Sequence, residues 1–80
     1  MPTVLRVGPY RFYFYSNEGD EPPHVHVEAG GSVAKFWLED PVRHQRSQRF
    51  AAHELTRVQL LVQEHRTELL RAWSGFFSSG

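Results

Sequence analysis

The 80-residue chain has no cysteine, no net charge and one methionine. Without cysteine there is neither a disulfide framework nor a thiolate metal site, so any metal would be held by histidine and carboxylate. No segment approaches the ~18 consecutive apolar residues of a membrane span. The beginning, MPTVLRVG, lacks a basic stretch followed by an apolar run, so no secretory leader is expected. Repeats and low-complexity tracts are also missing. Together these features lead us to expect a cytoplasmic protein with no membrane contact and no cofactor, folded as a single domain over residues 1–80. A chain this short buries only about 60% of the surface it exposes when unfolded, so its core is thin.

The zero net charge hides an uneven distribution. Residues 1–42 carry Arg6, Arg11 and Lys35 against Glu18, Asp20, Glu21, Glu28, Glu39 and Asp40, a net −3. Residues 43–80 carry six arginines against Glu54, Glu64 and Glu68, a net +3. Three of those arginines, Arg43, Arg46 and Arg49, recur every third residue in RHQRSQR, a segment without helical or strand pattern. It is expected to be a basic loop, paired with the acidic half of the chain or offered to a phosphate.

The apolar pattern changes period once. Thr3–Val7 and the aromatic Tyr10–Tyr15 read as strands about a Gly8-Pro9 turn. The polar SNEGDEPP is a loop whose prolines favour an extended start to the next strand. His24–Glu28 and Ser32–Leu38 are predicted to pair through a two-residue Gly30-Gly31 hairpin. That turn sets the register: Glu28 opposite Val33, His26 opposite Lys35 and His24 opposite Trp37. Alternation then places His24, His26, Glu28, Lys35 and Trp37 on one face, and the wholly apolar Val25, Val27, Ala34, Phe36 and Leu38 on the other. The apolar face is the floor of the core, and the histidine face is expected to meet water or a ligand.

From Ala51 onward, apolar residues fall at spacings of three and four through His65, and again at Leu69, Leu70, Trp73, Phe76 and Phe77. Phe50 and Leu55 are spaced as a hydrophobic staple, which leaves Ala51 at the N-cap without a side-chain acceptor. EHRTE interrupts the stripe, so the segment is either two helices or one bent helix. The expected architecture is therefore α+β: a small antiparallel sheet of three to four strands followed by two C-terminal helices packed on one face.

The stretches MPTVLRVGPYRFYFYSNEGDEPPHVHVE, AKFWLEDPVR and AAHELTRVQLLVQEHRTELLRAW resemble the bacterial domain-of-unknown-function family 4160 over nearly the whole chain. The block from YSNEGDEPPHVHV to AKFWL is its most specific part. The family pattern runs approximately Asp-His, a linker, then Pro-Pro-His-x-His-Val. His24 and His26 match its last two histidines, whereas its first histidine has no counterpart, its place being taken by part of NEGDE. Ala51 stands where relatives often have serine. The resemblance implies a small protein partner, because such genes are often paired with another short gene in the style of toxin and antitoxin modules. It does not identify a reaction.

Four readings of the His-x-His pair follow. It can be the wet face of a half-buried sheet with no further role. It can belong to a binding surface, Tyr13, Tyr15, Trp37, Arg43, Arg46 and Arg49, that docks a protein partner or a nucleic acid. The 11 aromatic residues, more than one helical roof should cover, favour this second reading. A third is a metal-independent ribonuclease-like toxin in which His24 and His26 act as general base and acid while Lys35 stabilises developing negative charge. The fourth, a metal-dependent hydrolase, would use His24, His26 and Glu28, but Lys35 opposite His26 would repel the cation. The binding surface is the preferred reading.

Overall fold

The computed structural model describes residues 3–78. Five strands come first: β1 (Thr3–Val7), β2 (Tyr10–Tyr13), β3 (His24–Ala29), β4 (Ser32–Trp37) and β5 (Arg43–Gln48). Two helices follow, α1 (Ala52–Glu64) and α2 (Arg66–Phe77). The strands form one antiparallel meander in the order β1-β2-β3-β4-β5. The α+β class, the antiparallel pairing and the helices at the end agree with the sequence, but the sheet has five strands rather than three to four.

The additional strand is β5, the arginine-rich segment expected to be a loop. Nearly all its side chains are exposed, so it has no buried face to impose a period of two. It exists because β4 offers a ladder edge, and it becomes the new edge, studded with charge as edge strands commonly are. A bulge between Lys35 and Phe36 sets Lys35 opposite Arg46 and Phe36 opposite His44, leaving Gln45 as the extra residue. That one residue explains the three-residue arginine spacing. Arg43 opposite Trp37 and Arg46 opposite Lys35 both fall on the histidine face.

The β3–β4 register is the expected one, with His24 opposite Trp37, His26 opposite Lys35 and Glu28 opposite Val33. Gly30 and Gly31 both have positive φ, 55° and 85°, as the two central residues of a type I′ turn require. On the other face, Val25, Val27 and Phe36 are completely buried with Phe12 and Phe14 against Val58 and Val62 of α1 and Leu69 and Trp73 of α2.

At the helix start, Ala51 is the N-cap and makes no side-chain cap, as expected. The chain bends at His65, between the two helices. The His65 ring Nδ1–H donates to the Leu61 carbonyl at 2.9 Å, and the same carbonyl accepts the His65 backbone N–H at 3.0 Å. Arg66 then donates to the carbonyls of Leu38 and Glu39, which anchors the bend to the end of β4. No helix among the described residues is long and apolar enough to cross a membrane.

Candidate functional site

The histidine face is not open to water at the histidines. His24 is 0% exposed, His26 5% and Lys35 6%. Their cover is the segment between β2 and β3, where a 3₁₀ turn at Ser16–Glu18 folds back over the start of β3. His24 Nε2 and His26 Nε2 lie 2.7 and 2.8 Å from the same oxygen, Glu18 Oε1. Lys35 Nζ donates to Glu21 Oε1 at 2.9 Å and sits 4.7 Å from the centroid of the Trp37 ring. Two acidic residues of a loop therefore close over two histidines and a lysine of the sheet. A second clamp acts from the helices, because a Cβ at Gly19 would come within 2.6 Å of Phe77 Cδ1. A side chain at this position would force the Phe77 ring or the loop to shift.

Each imidazole is placed differently. His24 begins β3, edge-on to Trp37 of β4 at a centroid distance of 5.5 Å, and Trp73 of α2 lies 5.0 Å from it. Its Nδ1 lies 3.0 Å from the Pro22 carbonyl, which can only accept. His26 is held between two tyrosines, stacked on Tyr13 at 5.4 Å and edge-on to Tyr15 at 4.6 Å. Burial pushes its pKa down, Glu18 pulls it up, and the charges of His24 and Lys35 oppose Glu18, so that it rests below the ordinary value. Burial also pushes the Glu18 carboxyl up, yet the hydrogen bonds from His26 and His24 outweigh it and hold the group below the usual carboxylate range. The Tyr13 hydroxyl is raised well above its normal value, first by burial and then by its hydrogen bond to Tyr15.

Beside this covered cluster the outer face becomes exposed towards β5, at Arg46. Register aligns Tyr13, His26, Lys35 and Arg46 in one row across β2, β3, β4 and β5. These four, with Tyr15 and Gln48, line a pocket of about 260 Å³. Arg46 is exposed and makes no hydrogen bond or ion pair among the described residues.

The sequence-derived candidates therefore separate. Tyr13, Tyr15, His26, Lys35 and Arg46 meet at the pocket. His24 does not line it, so the paired acid and base of the ribonuclease reading do not face one cavity. Trp37 instead lies edge-on to His24 and under the Lys35 ammonium. Arg43 is bound to Glu39, and Arg49 follows β5 with a φ of 72°. Glu28 is not a partner of the histidines. It pairs with Arg11 at 2.9 Å, and Glu18 takes the place expected for it. The aromatics do exceed the core beneath the helices: Tyr13, Tyr15 and Trp37 lie on the histidine face, where they are buried or half-buried, and Phe76 is the only aromatic that is exposed among the described residues.

Glu18 was missed because SNEGDEPP carries no period that would fix where its side chains point. Its signal is the departure from the family pattern: the stretch lacking the first histidine brings a carboxylate to the other two.

The fold and site define a small α+β domain with helices on one side of a meander and a loop-covered histidine pair on the other. The chain belongs to the family described as Domain of unknown function (DUF4160), which matches residues 10–74. No curated protein and no solved structure matches it.

Proposed function

We propose that this domain is a partner-binding module, and that the partner seated on the outer sheet face is a single-stranded nucleic acid. The observation that carries this reading is the cross-strand row Tyr13, His26, Lys35 and Arg46 along one pocket, its first three members forming the floor and Arg46 the exposed end. A volume of about 260 Å³ suits one nucleotide rather than a folded surface. Arg46, exposed and without a partner among the described residues, supplies a cation for a phosphate oxygen, and half-buried Tyr15 supplies an aromatic face for a base. The readout is the anisotropy of a labelled single-stranded RNA titrated across salt concentrations. Binding should weaken with salt, and Arg46→Ala should flatten the logarithmic slope by about 0.7, the value for one lost phosphate contact. Binding that is absent, or indifferent to salt, rejects the reading.

A small protein partner, in the manner of a toxin and antitoxin pair, is the second reading, and it draws on β5. This strand is the last of the sheet, so its outer edge is open to main-chain pairing. Such a partner would protect the outward amides of Arg43–Gln48 from hydrogen exchange and leave the pocket residues unaffected.

A further inference from the structure

We infer that Glu18, His24 and His26 form a binding site for a divalent transition-metal cation of the zinc class. The three ligand atoms, one carboxylate oxygen and two imidazole nitrogens, lie within 4.8 Å of one another. Two imidazoles with one carboxylate are a set that zinc accepts, with a fourth position left for water or another ligand.

The hydrogen-bond inventory of His24 makes the argument sharper than proximity alone. Its Nδ1 faces the Pro22 carbonyl and its Nε2 faces the Glu18 carboxylate, so acceptors occupy both sides of a fully buried ring. A neutral imidazole has one N–H, and the Pro22 carbonyl claims it. Nε2 can then face the Glu18 oxygen at 2.7 Å only through a second proton or through a metal cation held between them. A metal cation between the two takes the place of that proton, with the nitrogen and the carboxylate oxygen both turned towards it. Donation of the other ring nitrogen to a backbone carbonyl is also how metal-bound histidines are oriented.

Two further features remove the objections raised by the sequence. Lys35, which should repel a cation, is tied to Glu21 and turned over Trp37. The ligand that Glu28 does not supply comes from Glu18. The present N···O separations of 2.7 and 2.8 Å are shorter than the about 3.3 Å between ligands of a tetrahedral zinc with bonds near 2.0–2.1 Å, so the carboxylate must withdraw by about half an ångström. Glu18 is the member able to do so, since it ends a short turn and keeps 18% of its side chain exposed. His26 also lines the pocket, which brings one ligand of the site to its wall.

This inference does not depend on nucleic-acid binding and is tested without RNA. Chelator-treated protein is titrated with zinc chloride, following heat and the ring resonances of all five histidines. One equivalent should bind, shift His24 and His26 while leaving His44, His53 and His65 in place, and raise the melting temperature as zinc concentration rises. Glu18→Gln, checked for folding, should weaken zinc at least about tenfold, the lower bound for losing even a supporting contact. His53→Gln should leave the affinity unchanged. Should the wild type take up no zinc at equimolar concentration, or should the shifts fall on His44 or His53 instead, the site is wrong.

Discussion

Two polar stretches of this chain, residues 16–23 and 43–48, look alike as sequence and end in opposite circumstances. The first folds over the sheet and inserts Glu18 and Glu21 among His24, His26 and Lys35. The second joins the sheet and leaves its arginines in water. The difference lies in what each can reach. SNEGDEPP connects β2 to β3 across the end of the sheet, where buried donors need acceptors, and a carboxylate there satisfies several at once. RHQRSQ meets only a backbone edge, which any sequence without proline can pair. Burial of charge is thus decided by the partners a segment finds, not by its own polarity.

The largest test of this contrast is Glu18→Ala. It removes the acceptor for two buried imidazole nitrogens, each costing about 1–3 kcal/mol when left without a partner. A loss of about 2–4 kcal/mol is expected, and in a domain of this size each kcal/mol is worth about 4–8 °C of Tm. Urea denaturation measures it. A loss below about 1 kcal/mol would mean that the loop merely rests on the sheet.

Gly19→Ala strikes the same loop from the helix side. The new methyl would meet Phe77 at 2.6 Å, so the ring or the loop must shift. Overpacking of this kind costs about 1–3 kcal/mol, and the lower end is expected because Phe77 is near the end of its helix. The accompanying Phe77→Ala change should recover part of the loss. If it recovers none, Gly19 is required for its backbone and not for its lack of a side chain.

Legibility in the sequence divides along the same line. Where one face is apolar, the pattern and the chemistry of one turn sufficed: Gly30-Gly31 set the register that holds Val25 opposite Phe36, and the staple spacing of Phe50 and Leu55 located the start of α1. The His26–Lys35 part of the row followed from the same turn, whereas the pairing of Tyr13 with His26 did not, because the long segment between β2 and β3 sets no register. What escaped were contacts made by segments lacking a period. β5 has no buried face, and its bulge at Gln45 put Arg46 into the row. Glu18 is positioned by a turn and by Phe77 on Gly19, through contacts between residues far apart in the chain. The histidine face was expected to be wet because alternation reports which side of a strand is polar, and polarity does not reveal what covers it.

On the exposed side of the comparison, Arg46→Ala should leave stability within about 0.5 kcal/mol of the wild type, as surface substitutions without partners do. Chemical denaturation with the salt titration described above then separates folding from binding. A large stability loss would place Arg46 in the internal charge pairing that the sequence also allowed, and would remove it from the pocket's free cations.

The smallest effect is expected at Glu39, where pH provides the readout. The Arg43 guanidinium, hydrogen-bonded to both its carboxylate oxygens, holds the Glu39 carboxyl below its ordinary value. A depressed carboxylate adds stability that is present above the unfolded-state pKa, about 4.5, and is lost as pH falls through the lower folded-state value. The sign is therefore a contribution to acid lability. Both partners are in open solvent, however, where water and salt screen the attraction and the ordering of two long side chains opposes it. Glu39→Gln should accordingly leave the urea midpoint unchanged between pH 7 and pH 3, in 0.15 M salt. A clear drop at pH 7 that vanishes at pH 3 would show that the ion pair fastens the start of β5. The arginine strand would then be held by its charges as the acidic loop is, and the contrast between the two regions would fail.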